Sequence, residues 1–194
     1  MEAELNNRAI ILESSLKLFA EKGYEAVGVA ELCETSSVTK PTLYHYFGSK
    51  RGLLDAIIEE KGRPLLAAVE KAALAHSPRD VPQALEGLAW AFATRATAEP
   101  DFARLRLTLA FAPSSSEGGE AIATLNGALY SHVEAFFKAA AEYHGNMKGR
   151  SLPYAAAFIG TVDTYVGLYL AKQSELSEAV VKAAVRQFMY GIFS

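Results

Sequence analysis

Apolar positions recur along most of the chain at intervals of three and four. No stretch of any length alternates apolar with polar, so the pattern predicts helix after helix and an all-α fold. From roughly Leu5 to Lys22, Ile11, Ser15, Leu18 and Phe19 share one face. The run stops at Gly23-Tyr24, where glycine can take the left-handed position past a helix end and the tyrosine can pack back on the last turn. A short helix is expected from about Val29 to Thr35, with Ala30, Leu32 and Cys33 making apolar contacts. Ser36-Ser37 makes a turn, and Val38 plugs the angle behind it. Two helix starts follow: Thr39 before Lys40-Pro41, and Ser49 before Lys50-Arg51. A hydroxyl accepts from the unpaired N–H groups of a first turn, and proline just inside loses nothing there. The stretch therefore reads as a short helix, Lys40 to Phe47, a break at Gly48 and the start of a much longer helix. Leu43 and Phe47 face one way, leaving Lys40, Thr42, Tyr44 and His45 on the other sides. Two short helices joined by such a turn form a helix-turn-helix, whose second helix enters the major groove.

The long helix runs on towards Leu74, with a kink or restart expected near Gly62 because Pro64 removes an N–H. Ser77 to Pro82 is the clearest break. Beyond it, Val81, Leu85, Leu88 and Phe92 mark a helix to about Ala98, and Phe102, Leu105 and Leu109 mark the next. Pro113 to Gly119 has the composition of an exposed loop. A long helix, about Glu120 to Tyr143, carries Ile122, Leu125, Leu129, Val133, Phe136 and Phe137, and Gly145 to Pro153 is a further loop. Pro153 to Ser174 has two stripes: small residues Ala156, Gly160, Gly167 and Ala171, and larger ones Phe158, Val162, Tyr165 and Tyr169. The last helix, Ser177 to Phe193, has Val181, Val185, Phe188 and Ile192 on one side. Two helices apolar over most of their circumference exceed what one core can cover, which points to a four-helix interface with a second copy.

Composition narrows the reading. A chain of 194 residues, 51% hydrophobic and 21% charged, is globular, with room for one large or two small domains. The net charge of -3 says nothing of nucleic acid, but from Ser36 to Gly52 the cations Lys40, Lys50 and Arg51 meet no acid. Nucleic acid responds to that local field. Cys33 is the only cysteine, which excludes an intrachain disulfide and suits a reducing compartment. The N-terminus has no basic segment followed by an apolar one, so no secretory signal is expected. Tyr154 to Ala171 is nearly all apolar, but Asp163 at its centre is costly in lipid, so a buried helix and a soluble, cytoplasmic protein are expected. No glycine-rich phosphate loop, nucleophile elbow or H-E-x-x-H is present. His76, His132 and His144 are too widely spaced to pair as ligands, so neither catalysis, cofactor nor metal is expected.

Ile11 to Ala26 (ILESSLKLFAEKGYEA) and Val38 to Leu54 (VTKPTLYHYFGSKRGLL) resemble, in order and spacing, the TetR-type transcriptional regulators. The resemblance covers about the first quarter of the chain. It implies a homodimer with a three-helix helix-turn-helix domain, residues 1–50, and a helical effector-binding and dimerisation domain, residues 51–194. It implies that Thr39, Lys40, Pro41 and Thr42 lie nearest the base edges of a palindromic operator. Tyr44 and Lys50 would then contact phosphate, with His45 at the groove rim. Three positions depart from the family pattern: Gly28 stands where a hydroxyl usually caps the second helix, Ser37 replaces the usual turn glycine, and Gly52 replaces a better helix former. The expected function is a repressor released by a small apolar or aromatic effector. Trp90, Arg95, Phe111, Tyr130, Phe137, Asp163 and Tyr165 are the candidate effector contacts, Asp163 serving equally as a dimer-interface hydrogen-bonding group. The alternative is a helical protein that keeps the fold but acts by protein–protein contact or ligand sequestration, without DNA.

Overall fold

The computed structural model describes residues 2–191, which are helical throughout and contain no strand. The order is α1 (Glu2–Lys22), α2 (Val29–Thr35), α3 (Lys40–Phe47), α4 (Lys50–Ala75), α5 (Val81–Ala98), α6 (Pro100–Ala110), α7 (Glu117–Ala141), α8 (Ser151–Leu170) and α9 (Glu178–Tyr190), with a 3-10 turn at Gly145–Met147. Ile192 and Phe193, expected to finish the last helix, lie outside the described residues. The chain forms two compact units. One comprises the chain up to Arg63 together with Asp101–Thr124; the other comprises Pro64–Pro100 and the chain from Leu125. The polypeptide thus changes unit three times: inside α4, between Pro100 and Asp101, and inside α7.

In the first unit, Ile11, Leu12, Leu16 and Phe19 of α1, Leu32 of α2, Leu43 of α3 and Leu53, Leu54 and Ile57 of α4 are buried. Gly23 ends α1 with φ 83° and donates its N–H to the Phe19 carbonyl at 2.9 Å, turning Tyr24 edge-on to the Phe19 ring with centroids 5.2 Å apart. The hydroxyls of Ser14 and Ser36 lie 2.7 Å apart, which satisfies the buried Ser36. α4 is tied along α1 by Arg8–Glu60 and by Lys61–Glu13 at 2.5 Å. Surface pairs of this kind contribute about 0–1 kcal/mol each.

Several local expectations need correction here. Ala30 is exposed, because it lies two residues before Leu32 on so short a helix and therefore on its far side. Phe47 is only half-buried, with the Arg8 guanidinium 5.4 Å from its ring centroid. α4 runs unbroken past Gly62, so the restart does not occur; Pro64 sits inside it on an exposed side, where water can take the carbonyl that proline leaves unpaired. Glu117, Gly118 and Gly119 are the first turn of α7, not loop, and both glycines are buried. The Ser116 hydroxyl accepts from the Gly119 N–H at 3.1 Å and donates to the Pro113 carbonyl at 2.8 Å. A Cβ on Gly118 would sit 2.7 Å from Leu109, and one on Gly119 would sit 2.2 Å from the Pro113 carbonyl oxygen. The two glycines allow a close approach that their composition disguises as flexibility.

In the second unit α5, α8 and α9 pack on one another through Leu85, Leu88, Phe92, Phe158, Val162, Val181 and Val185. Phe137 of α7 stands among the rings of Phe136, Tyr154, Phe158 and Phe188, at centroid distances of 5.6 to 6.4 Å. α8 begins two residues before Pro153, which falls in the first turn where no N–H is needed, and it ends before Lys172, whose φ is 59°. Of its small stripe, Ala156, Gly160 and Ala171 are exposed, and nothing lies within 4 Å of a Cβ added at Gly160 or Gly167.

Candidate nucleic-acid interface and effector cavity

α3 is set by one capped end and one buried residue. Thr39 accepts from the Thr42 N–H at 3.3 Å, Pro41 stands in the first turn, and Leu43 is fully buried. Anchoring Leu43 leaves Thr39, Lys40, Pro41, Tyr44 and His45 exposed and Thr42 half-buried. Thr39 and Thr42 hold each other's hydroxyls at 2.8 Å, so any group bound by either must exchange for that bond. Gly48 takes φ 71°, the left-handed conformation suited to glycine, and donates to the Tyr44 carbonyl at 2.8 Å.

α4 opens with cations and no acid in its first turn. That order opposes the helix dipole and favours an anion beside it. The Lys50 ammonium lies 4.1 Å from the Tyr24 ring centroid. Arg51 donates from Nε to Asp55 at 2.9 Å and from Nη1 to Glu120 at 3.3 Å. The Asp55 hydrogen bond, against some desolvation, raises the Arg51 pKa further. Tyr24 donates its hydroxyl to Glu117 at 2.5 Å; burial first, and then this bond, hold its proton well above the usual phenol range. Gly52 is required where it stands, since an added Cβ would lie 2.0 Å from the Phe47 carbonyl oxygen. Its departure from the family pattern therefore reflects close packing rather than looseness. Sequence reasoning passed over Tyr24, Arg51, Glu117 and Glu120 in this cluster. No local signal in the sequence marks the cluster, because its hydrogen bonds to α7 join residues 93 and 69 positions apart.

α2 and the turn after it carry the other two departures. Gly28 is the N-cap of α2 and offers no side-chain bond, while Ser37 sits at φ 54°, the left-handed region that favours glycine.

The seven effector candidates do not converge. Tyr165 lines an apolar cavity of about 20 Å³ with Phe158, Val162, Leu176, Val181, Val185 and Phe188, and its hydroxyl reaches Gln187 at 3.4 Å. That volume admits about one water. Trp90, 40% exposed, lines a separate open cleft of about 310 Å³ with His76, Glu86 and the Glu178–Lys182 ion pair. Phe137 is sealed in the ring cluster, and Phe111 is 86% exposed just beyond α6 in the first unit. Arg95, Tyr130 and Asp163 line neither the cavity nor the cleft, and the Arg95 Nε is buried with no hydrogen-bond partner. Among the described residues no three His, Cys, Asp or Glu side chains are grouped to hold a metal ion, and no helix is long and apolar enough to cross a membrane.

Residues 11–57 match the family model described as bacterial regulatory proteins, tetR family. The helix-turn-helix region belongs to the TetR family. Its segment is 40% identical over 53 residues to the HTH-type transcriptional repressor ComR of Escherichia coli, covering 27% of this chain and 25% of ComR. The chain matches a quarter or so of that relative's length, and under half of the other curated relatives considered. Among solved structures, the TetR-family regulator PfmR of Thermus thermophilus superposes with a TM-score of 0.74 at 25% identity, covering 95% of this chain and 99% of PfmR. FadR of Bacillus subtilis, solved in complex with stearoyl-CoA, gives a TM-score of 0.76 at 18% identity over 95% of this chain and 98% of its own. The all-helical fold, an N-terminal helix-turn-helix followed by a C-terminal helical region, is that of TetR-family structures.

Proposed function

We propose that the chain is a homodimeric, cytoplasmic DNA-binding transcriptional regulator, a repressor released by a small apolar or aromatic effector. In this reading residues 1–50 contact DNA and residues 51–194 bind effector and dimerise. The observation that carries it is the acid-free outward face of α3, fixed by buried Leu43 and followed at once by the cationic start of α4. Thr39, Lys40, Pro41 and Thr42 meet base edges, Tyr44 and Lys50 meet phosphate, and His45 lies at the rim. Two copies with recognition helices roughly 34 Å apart read a palindrome. The exposed small residues of α8 permit the helix contact that sets this spacing.

The apolar seam between α5, α8 and α9 receives the effector, with Tyr165 as its polar contact. An effector must widen a cavity of about 20 Å³, and it shifts the equilibrium only by its preference for the widened state. An acyl ligand in the similarly folded FadR supports an apolar occupant, and the name of ComR supports repression. The test is binding to random-sequence duplex DNA across a salt series. Affinity should fall with a log–log slope of about -0.9 for each phosphate contacted. An absence of affinity even at low salt refutes the reading.

A further inference from the structure

We propose that the first turn of α7 positions the phosphate-contacting end of α4: Glu117 holds Tyr24, Tyr24 holds Lys50, and Glu120 holds Arg51. The inference rests on the DNA-binding reading above and adds residues far from α3 in sequence. Lys50 and Arg51 stand in the first turn of a helix, where the dipole disfavours cations. Each is nevertheless given a fixed place by the same short element. The Lys50 ammonium rests on the Tyr24 ring face at 4.1 Å, a contact that orients the cation but uses none of its three N–H donors on an acceptor. Those donors stay available to phosphate. Arg51 is different: its donors are engaged by Asp55 and Glu120, so its charge is locally neutralised.

Tyr24 can serve as a platform because it is buried, edge-on to Phe19, and donates to Glu117 at 2.5 Å. Donation to a carboxylate pushes electron density into the ring and strengthens its hold on a cation. Glu117 is in turn placed by close packing. A Cβ on Gly118 would lie 2.7 Å from the Leu109 side chain, which would have to shift, and 3.8 and 3.9 Å from Tyr24 and Glu25. The Ser116 hydroxyl closes the turn beneath it. Tyr24 and Glu117 are thus positioning residues that act through Lys50. Because α7 continues to Ala141 in the second unit, this end of α4 has a connection to that unit besides α4 itself.

The experiment is a double-mutant cycle on the full chain, with random-sequence duplex DNA as probe. Phosphate contacts are sequence-independent, so no operator is needed. Tyr24→Phe and Glu117→Ala should each weaken low-salt binding by roughly threefold to tenfold and reduce the salt slope by about 0.9, as Lys50→Ala does. Neither should have a further effect in the Lys50→Ala background. Glu117→Gln, which keeps an acceptor while losing the charge, should retain the wild-type slope. The proposal is overturned if Tyr24→Phe keeps wild-type affinity and slope. It is also overturned if Glu117→Ala and Glu117→Gln behave alike, or if the losses add to that of Lys50→Ala. Thermal unfolding separates a folding defect from a binding one, and the near-isosteric Tyr24→Phe carries the test should Glu117→Ala not fold. Wild-type protein without DNA affinity would overturn the functional reading as well. Wild-type binding with an unaffected Tyr24→Phe would overturn the positioning alone.

Discussion

The outward faces of α3 and α8 are both bare, and they are bare in opposite ways. α3 exposes Lys40, Tyr44 and His45 around a single buried anchor, Leu43. α8 exposes Ala156, Ala157, Gly160 and Thr164 while burying Phe158, Ile159 and Val162 behind them. The first face carries hydrogen-bonding and charged groups that water solvates well and a polyanion can compete for. The second carries almost nothing for water or a ligand to hold, but lets another backbone come near. A surface can be prepared for a partner by what it presents or by what it leaves out.

The largest expected effect comes from filling the second face. A Cβ added at the exposed Gly160 meets no atom within 4 Å in a single chain, so Gly160→Arg should leave the monomer folded. If α8 forms the dimer seam, sedimentation should show monomers, and DNA affinity should fall by a factor on the order of 100 or more as the two-headed advantage is lost. A persisting dimer would place the seam elsewhere. Next in size is the anchor of the first face. Leu43→Ala should destabilise the protein by about 2–5 kcal/mol, measured by urea unfolding, because a fully buried leucine leaves a cavity. Thr39→Ala removes the cap that orders α3 and should cost about 1 kcal/mol by the same measurement, with weaker DNA binding beyond that. The smallest effect has the opposite sign. Ser37→Gly relieves a left-handed serine and should stabilise by up to about 1 kcal/mol, leaving the salt slope of DNA binding unchanged.

Much of α3 was legible in the sequence because its determinants are local. Thr39, Pro41 and Gly48 lie within ten residues of one another and fix both ends, and the 3.6-residue period puts Leu43 inward. The bounds of α2 follow from the same kind of signal. What was not legible depends on residues distant in sequence. Gly118 and Gly119 look like loop until Leu109 and Pro113 are seen against them, and Gly52 looks like a poor helix former until the Phe47 carbonyl is placed beside it. The effector candidates suffered most. Phe111, Trp90 and Phe137 are chemically alike in sequence, yet one is exposed, one edges a cleft and one is sealed in the core. The cavity is instead built largely from valines, phenylalanines and alanines that any core would use.

The return of Asp101–Thr124 to the first compact unit bears on how such a protein can be taken apart or recombined. A gene fragment ending at Arg63 would encode α1 to α3 but omit Glu117 and Glu120, the acceptors for Tyr24 and Arg51. The head is therefore not a cassette that one splice can transplant; a faithful graft needs three junctions, all of them inside helices. On the DNA-binding reading proposed above, altered specificity should be more readily reached by point substitution along α3 than by transplanting the head.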